Sequence, residues 1–291
     1  MTLSLRGRRS FVVVIVIVAF AAGLAVSPIF RTNATRVAGA LHRRMAVLTH
    51  RAPPRLRIEI VRSYAHDPGA FTEGLALDGG VVYESTGLAG KSSVRRVDLQ
   101  SGRVLTSVAL AQESFGEGLA LMRGRVIQLT WKEQTAFVYD ARTLDGRGRR
   151  SYSGEGWGLC FDGQALVMSD GSDRLTFRDP ESFAVQRTVD VTQQGLPLGR
   201  LNELECVGGS VYANVWRTDT IVRIDSGTGR VLETIDASGL LTPAERRSAD
   251  VLNGIAYDPA DATFLLTGKL WPKIFRVRFM AAAPSSPGGA R

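Results

Sequence analysis

An internal repeat places residues of three chemical kinds at one equivalent position. The repeated segments begin Phe-Thr-Glu-Gly-Leu at Phe71 and Phe-Gly-Glu-Gly-Leu at Phe115, and three weaker copies follow. Aligned on the leucine or isoleucine of each copy, the residues two places earlier are Glu73, Glu117, Trp157, Asn202 and Asn253. A repeat that served packing alone would favour one residue type at this position. We therefore predict that this column of carboxylates, indole and amides forms a functional site.

The residue types in the chain restrict the chemistry of such a site. The only histidines are His42, His50 and His66, so no Ser-His-Asp set is expected. No cluster of His and Cys has the spacing of a zinc site. The glycine-rich segments at 116–118 and 154–156 lie in predicted strands rather than in a phosphate-binding loop. The remaining possibilities for the site are acid–base catalysis by carboxylates and ligand binding without catalysis.

A second column, fourteen residues after the first, adds aromatic side chains. Its members are Gly87, Trp131, Gly171, Trp216 and Thr267. The matching positions predict that Trp131 and Trp216 lie at the same mouth as Trp157. Nearby stands Lys269, one of four lysines in a chain with 32 arginines. We predict that it supplies a compact, adjustable charge to the site, with a solvated surface lysine as the alternative.

The elements that position these residues are short strands. The copies of the repeat are spaced 44, 40, 45 and 51 residues apart, and each continues with further short apolar segments separated by turn residues. Four short strands in each such unit are typical of a propeller blade. We predict an all-β, five-bladed β-propeller over 57–279, with the first strand of each blade lining a central channel. The alternating segment 57–64 is predicted to be the outermost strand of the last blade, which closes the ring.

The ends of the chain differ from this domain in composition. Residues 1–57 hold ten arginines and no Asp or Glu, so the rest of the chain carries a charge near −2 although the total is +8. The uncharged run Phe11–Phe30 follows three arginines, and we predict a signal peptide or membrane anchor over 1–30, with retention as an anchor favoured. The basic segment indicates a membrane surface rather than nucleic acid. We expect a basic linker over 31–56 and a disordered tail over 280–291.

The charge before the hydrophobic run predicts export of the domain, although arginines also follow the run. We therefore expect a periplasmic or otherwise extracytoplasmic protein, attached to the membrane if the anchor is retained, and a monomer. An exported protein with two cysteines can form one disulfide. Cys160 and Cys206 lie at offset positions of neighbouring repeats, where strand alternation sends their side chains to opposite faces. We predict two unpaired, buried thiols.

The motifs are specific enough to resemble a known family, the plant and bacterial type of glutaminyl cyclase. The resemblance extends in order from about Ile60 to Arg278 and rests on the following segments: Phe71-Thr-Glu-Gly-Leu, Tyr83-Glu-Ser-Thr-Gly-Leu, Phe115-Gly-Glu-Gly-Leu, Gln128-Leu-Thr-Trp-Lys, Gly154-Glu-Gly-Trp-Gly-Leu, Leu201-Asn-Glu-Leu-Glu, Ala213-Asn-Val-Trp, Leu252-Asn-Gly-Ile-Ala-Tyr and Gly268-Lys-Leu-Trp-Pro-Lys. The family is a five-bladed propeller that needs no catalytic metal. It converts the N-terminal glutamine of a peptide or protein to pyroglutamate and releases ammonia.

The resemblance also implies roles for single residues. Glu117 resembles the acid/base of the family, with Asn202 and Lys269 as polar partners of the reaction. The aromatic walls that it implies are Phe71, Phe115, Trp131, Trp157 and Trp216. Glu73 departs from the family, since many members have glutamine there. A second carboxylate so near Glu117 is expected to raise one of the two pKa values. We expect Glu73 and Asn253 to line the substrate site.

Two other readings stay open from the sequence. A non-catalytic propeller that binds peptides or envelope components shares the fold and predicts no turnover. A metal-dependent propeller hydrolase would use a Ca²⁺-type set of ligands, which Glu73, Glu117, Asn202 and Asn253 could supply. Three tryptophans around a hard cation argue against the second reading. We expect no cofactor, with a structural divalent ion in the channel left open.

Overall fold

A computed structural model describes residues 52–281, which are built almost entirely from antiparallel strands. The first repeat unit consists of β2 (Thr72–Asp78), β3 (Val81–Thr86), β4 (Ser93–Asp98) and β5 (Val104–Ala109). The second consists of β6 (Gly116–Met122), β7 (Arg125–Thr130), β8 (Thr135–Asp140) and β9 (Gly146–Ser151). The third consists of β10 (Leu159–Phe161), β11 (Leu166–Met168), β12 (Arg174–Arg178) and β13 (Val185–Asp190). Each unit is a separate four-stranded sheet in which consecutive strands are hydrogen-bonded neighbours.

The last two units share one eight-stranded sheet. The fourth unit consists of β16 (Leu201–Val207), β17 (Ser210–Val215), β18 (Thr220–Asp225) and β19 (Val231–Asp236). The fifth consists of β20 (Leu252–Asp258), β21 (Thr263–Gly268), β22 (Lys273–Ala281) and the N-terminal strand β1 (Arg55–Ala65). A small hairpin of β14 (Thr192–Gln193) and β15 (Leu196–Pro197) precedes the fourth unit, and the helical element among residues 52–281 is a single 3₁₀ turn at Glu245–Arg247.

The N-terminal strand β1 completes the last unit, as the alternating segment predicts. It pairs antiparallel with β22 from Leu56 opposite Ala281 to Ala65 opposite Lys273. It also pairs in parallel with β19 over three residues, which joins the fourth and fifth units into one sheet. The predicted closure by the two chain ends is confirmed, and β1 in addition covers the outer edge of a second unit. Covering these edges removes unpaired backbone groups that could template aggregation.

Repeated aspartates shape the turn between the third and fourth strands of the units. In the first unit, Oδ1 of Asp98 accepts a hydrogen bond from the backbone N–H of Ser101 at 2.9 Å. The same Asp-x-x-Ser/Thr bond recurs at Asp140, Asp179 and Asp225. An aspartate that accepts from the backbone in this way favours a turn over a continued strand. The motif therefore ends the third strand of the first four units at the same repeat position.

The inner strands of neighbouring units contact one another around a ring. Strand β2 contacts β6 and β20, β10 contacts β6 and β16, and β16 contacts β20. The apolar core lies between the facing sheets of neighbouring units; Val167 and Phe177 of the third unit, for example, share a cluster with Val211 and Val222 of the fourth. The fold is all-β and propeller-like, in agreement with the class predicted from the repeat.

The ends of the chain fall largely outside the described residues. The predicted signal or anchor over 1–30, most of the linker over 31–56 and most of the tail over 280–291 lie there. Within residues 52–281, no helix has the length and apolarity that a membrane span requires. Strand β1 starts at Arg55, two residues before the predicted boundary of the domain.

The prediction of two free thiols is wrong, because Cys160 and Cys206 form a disulfide with their Cα atoms 5.5 Å apart. Cys160 lies on β10 of the third unit and Cys206 on β16 of the fourth. Alternation does send the two side chains to opposite faces of their own sheets. Neighbouring sheets of a ring face each other with opposite faces, so these two side chains meet in the core between the units.

We predict that the Cys160→Ala/Cys206→Ala double variant is less stable than the wild type. The bond spans 46 residues, and by chain entropy a loop of this length stabilises the fold by about 4 kcal/mol. Urea unfolding should show this loss, and a reductant should lower the midpoint of the wild type but leave that of the variant unchanged. Two alkylatable thiols in the unfolded, unreduced wild type would contradict the bond.

Candidate active site

The residues of the first column lie where the inner strands depart from regular pairing. The register between the first and second strand shifts between Thr72 and Gly74, and the equivalent shifts occur in the second, fourth and fifth units. In the third unit, Trp157 lies just before β10 begins. A bulge re-aims the side chain that it carries. The local backbone thus turns Glu73, Glu117, Asn202 and Asn253 out of the ordinary strand alternation.

Glu73 is held by a lysine and an amide. Its side chain is 1% exposed, and its Oε1 accepts a hydrogen bond from Nζ of Lys269 at 2.6 Å. Nδ2 of Asn253 donates to the other carboxylate oxygen at 3.2 Å and to the backbone oxygen of Thr72 at 3.0 Å. Burial raises the pKa of Glu73 to about 7, against the opposing effect of the Lys269 ammonium. The predicted charge of Lys269 is therefore at the site and paired with Glu73, not at a solvated surface.

Glu117 lies against this ion pair, and its surroundings favour the protonated form of its carboxyl. Burial raises its pKa well above the ordinary value, and the negative charge of Glu73 raises it further. The two carboxyl groups are hydrogen-bonded to each other, which lowers the pKa of Glu73 and raises that of Glu117. The expected rise of one of the two pKa values is thus present, and the contact between the carboxyls favours the protonated form of Glu117 over that of Glu73.

The aromatic residues form a wall in two parts. In one part the Phe71 and Phe115 ring centroids are 6.3 Å apart, and Phe115 lies 5.7 Å from Trp131. In the other, Trp157 and Trp216 make an edge contact at 5.4 Å. All five rings are half-buried. The structure thus brings together the five residues that the repeat and the resemblance single out.

Cations lie against three of these rings. Nζ of Lys269 is 4.6 Å from the centroid of Phe71, and Nζ of Lys132 is 3.7 Å from that of Trp131. The guanidinium carbon of Arg217 is 4.4 Å from the centroid of Trp216. Lys132 and Arg217 each follow their tryptophan directly in the sequence. A cation over an aromatic face is attracted by the ring quadrupole and helps to fix the ring plane.

The glycines of the second column make room for the rings of the first. A Cβ on Gly171 would lie 2.7 Å from the indole of Trp157, and one on Gly87 would lie 2.5 Å from the ring of Phe115. Gly171 also has φ +81°, which favours glycine. The aromatic wall explains why the second column alternates between tryptophan and glycine. At each such position the residue either supplies a ring to the wall or leaves space for the ring of another residue.

Two asparagines at the ring keep unpaired amide atoms. Oδ1 of Asn202 and Oδ1 of Asn253 are buried, and neither has a hydrogen-bond partner. The backbone oxygen of Asn202 accepts from the hydroxyl of Ser169 at 2.7 Å. Unpaired buried polar atoms are costly and are rare in folded proteins. An amide with free hydrogen-bonding capacity at an aromatic-walled site is suited to a polar ligand.

Sequence reasoning missed Glu155, which contacts two of the tryptophans. Its Oε2 accepts from Nε1 of Trp131 at 2.8 Å and from Nε1 of Trp157 at 3.0 Å. The hydrogen bond from Trp157 is the main reason why the pKa of this carboxyl is lowered. Glu155 stands at the repeat position of Phe71 and Phe115, so extending the alignment by one more column could have found it.

The geometry of the site gives little support to the hypothesis of a metal-dependent hydrolase. Among residues 52–281 there is no group of three or more His, Cys, Asp and Glu side chains placed to hold a metal ion. Of the four ligands considered, Glu73 holds the Lys269 ammonium and the Asn253 amide. A bound cation would therefore have to displace an ammonium at 2.6 Å.

Comparisons with known proteins agree on one family. The family model described as glutamine cyclotransferase matches residues 32–279. A glutaminyl-peptide cyclotransferase of Arabidopsis thaliana is 42% identical over 234 residues, which are 79% of this chain and 73% of that protein. The crystal structure of Myxococcus xanthus glutaminyl cyclase superimposes with a TM-score of 0.72 at 39% identity, covering 79% of this chain and 100% of that one.

We predict that Gly171→Ala disturbs the wall, whereas Gly163→Ala does not. Both glycines have positive φ, so each variant should lose about 1–2 kcal/mol of stability from the backbone alone. Only at Gly171 does the new methyl meet Trp157, since nothing lies within 4 Å of the Cβ position at Gly163. Near-ultraviolet circular dichroism and urea unfolding of both variants test this. Equal tryptophan signals in the two variants would contradict the contact.

Proposed function

The chain belongs to the glutamine cyclotransferase family, and we propose that it is a glutaminyl-peptide cyclotransferase whose proton carrier is Glu117. It converts the N-terminal glutamine of a peptide or protein to pyroglutamate and releases ammonia. The observation that supports this role is the buried carboxyl of Glu117, whose pKa is raised by burial and by the charge of Glu73, at a site walled by five aromatic rings.

The reaction needs one proton to move between two nitrogen atoms. The α-amine attacks the γ-carbonyl carbon of the same glutamine, so that a C–N bond forms within a five-membered ring and the bond to the amide nitrogen breaks. The attacking nitrogen loses a proton and the leaving nitrogen gains one. A carboxyl group whose pKa is raised above its ordinary value is a better base as carboxylate and stays a usable acid once protonated. The carboxylate form of Glu117 takes the proton from the amine, and the carboxyl so formed returns it to the leaving nitrogen.

Glu73 and Lys269 set the protonation of Glu117. The negative charge of Glu73 favours the protonated form of Glu117, and the Lys269 ammonium, in contact at 2.6 Å, favours the ionised form of Glu73 against the effect of burial. Because its ammonium is bound to Glu73, we propose that Lys269 acts chiefly through this carboxylate and not as a direct oxyanion donor. Asn253 positions Glu73 in the same way, through the bond at 3.2 Å.

The wall and Asn202 bind the substrate. Half-buried rings on neighbouring units enclose a narrow site, in which the glutamine side chain is held folded toward its own amine and water is excluded. The unpaired Oδ1 of Asn202 accepts a hydrogen bond from the carboxamide nitrogen or the amine of the substrate. A pre-folded substrate in a dry site favours cyclisation over hydrolysis.

We further propose that the five four-stranded units are the five blades of a propeller, which acts as a monomer. The ring of contacts between the inner strands and the closure by β1 support this arrangement. The hydrophobic run at Phe11–Phe30 supports export, with the domain outside the cytoplasm and attached to the membrane if the run is retained. The reaction uses no catalytic metal, because the transfers above need only carboxyl chemistry.

We predict that Glu117→Gln abolishes ammonia release from a peptide with N-terminal glutamine. An amide cannot carry the proton, so kcat should fall at least about 100-fold, while circular dichroism shows an intact fold. Glu113→Gln is the matched control, since this exposed glutamate lies on the loop before Phe115. Wild-type turnover should be unaffected by chelator. Turnover by Glu117→Gln at the wild-type rate rules out the assignment, and a wild type with no turnover favours a binding platform.

We predict that Glu73→Gln shifts the acidic limb of the kcat/KM profile to lower pH. The negative charge of Glu73 raises the pKa of Glu117, so removing that charge lowers the pKa and lets the carboxylate of Glu117 persist in more acidic solution. The profile of kcat/KM against pH, measured for wild type and variant with one glutaminyl peptide, tests this. An unchanged acidic limb would show that Glu73 does not influence the group that limits the reaction.

A further inference from the structure

The aromatic wall has a gap that no ring contact within residues 52–281 bridges. Phe71, Phe115 and Trp131 form a continuous series on the first two units, and Trp157 and Trp216 form a second series on the next two. Trp131 follows β7 and Trp157 precedes β10, so the gap lies between the second and third units. A substrate that lies against both series needs them at a constant separation.

Glu155 spans this gap with one oxygen atom. The indole N–H groups of Trp131 and Trp157 both donate to its Oε2, at 2.8 and 3.0 Å. Hydrogen bonds to an ionised acceptor are stronger than those between neutral groups. Two rigid rings are thereby joined at their polar edges, and these hydrogen bonds do not occupy the faces of the rings. Among the residues that the structure describes, these two hydrogen bonds connect the side chains of the two series.

The backbone places the carboxylate at this point. The N–H of Gly156 donates to the backbone oxygen of Trp131 at 2.9 Å, and the N–H of Trp131 donates to that of Phe115 at 2.9 Å. The segment that carries Glu155 is therefore attached to the end of the strand that carries Trp131. Nζ of Lys132 lies 3.7 Å from the other carboxylate oxygen and 3.7 Å from the Trp131 centroid. The Lys132 ammonium thus neutralises part of the negative charge of Glu155 and lies over the face of the Trp131 ring.

We propose that Glu155 is a positioning residue of this site, which fixes the separation and tilt of Trp131 and Trp157 so that the two series act as one wall. The inference about substrate rests on the proposed function, whereas the inference about the rings does not. Glu155 is 40% exposed at its side chain, so a solvated surface glutamate is the plain alternative. That alternative does not account for the convergence of two indole N–H groups on one oxygen.

Three variants separate the two interpretations. Glu155→Ala removes the acceptor, whereas Glu155→Gln keeps an amide oxygen with two lone pairs that can accept both bonds. Glu133→Ala is the control, because it removes an equal charge from an exposed glutamate of the neighbouring loop that has no side-chain bond to either indole. All three are made in the full chain and compared in urea unfolding, so that loss of the fold is recognised.

The expected result is a loss of function with ring reorientation in Glu155→Ala alone. For a peptide with N-terminal glutamine, kcat/KM should fall about tenfold, mainly through KM, as expected for the loss of hydrogen bonds to a charged group. Three of the four tryptophans lie in the wall and Trp271 is fully buried. Tryptophan emission and near-ultraviolet dichroism of the free protein should therefore change, and Glu155→Gln should restore both.

Two results overturn the proposal. If Glu155→Ala leaves the tryptophan spectra like those of Glu133→Ala, the carboxylate does not hold the rings. If Glu155→Gln is as impaired as Glu155→Ala, the residue acts through its charge and not by accepting the indole bonds. A wild type without cyclase activity would remove the proposed function, yet the spectra of the free variants would still decide whether Glu155 positions the wall.

Discussion

The close approach of the inner strands is the constraint on which the rest of the structure depends. A Cβ added to Gly74 would lie 2.5 Å from the backbone nitrogen of Leu119 on the neighbouring unit. In the fourth unit this position is Glu203, and its carboxylate accepts the backbone N–H groups of Leu75 at 3.2 Å and Ile255 at 2.8 Å. Glycine lets the strands meet backbone to backbone, and Glu203 joins three of them across the ring. Because the side chains of the site project from these strands, their separations follow from this contact.

Both partners of the buried ion pair at the site are fixed by a second buried network. Thr72, next to Glu73, donates its hydroxyl to Glu84 at 2.6 Å, and His66 bonds the same carboxylate at 2.9 Å. The other ring nitrogen of His66 bonds the backbone oxygen of Trp271 at 2.6 Å, on the loop that carries Lys269. Burial lowers the pKa of His66, but the charge of Glu84 and the hydrogen bonds to Glu84 and Trp271 together outweigh it and leave that pKa raised. One histidine–glutamate pair thus connects the strand of Glu73 to the loop of Lys269.

The three glutamates of the site have different partners, and these partners determine the chemistry of each carboxyl group. Glu73 has an ammonium and an amide as partners, Glu117 has another carboxylate, and Glu155 has two indole N–H groups and an exposed edge. Partners of opposite charge or with donated protons stabilise the ionised form, and a like charge in a buried place stabilises the protonated form. In the proposed mechanism, these three glutamates near one aromatic wall therefore have different roles: Glu73 is the counter-ion of Lys269, Glu117 carries the proton, and Glu155 positions two rings.

The repeat in the sequence determined the strands, their order and the column of polar residues, because strand period, turn aspartates and repeat length are local properties of the chain. The rings of the wall could be found in the same way, since their positions recur from unit to unit. The contacts that these residues make with one another could not be found from the repeat. The Cys160–Cys206 bond joins facing sheets of different units, and the pairing of Lys269 with Glu73 joins residues 196 positions apart. The position of Glu155 lies within the repeat, but its hydrogen bonds to Trp131 and Trp157 join rings of two different units. Only the tertiary structure decided these contacts, because they depend on how the units face one another around the ring, which a linear period does not encode.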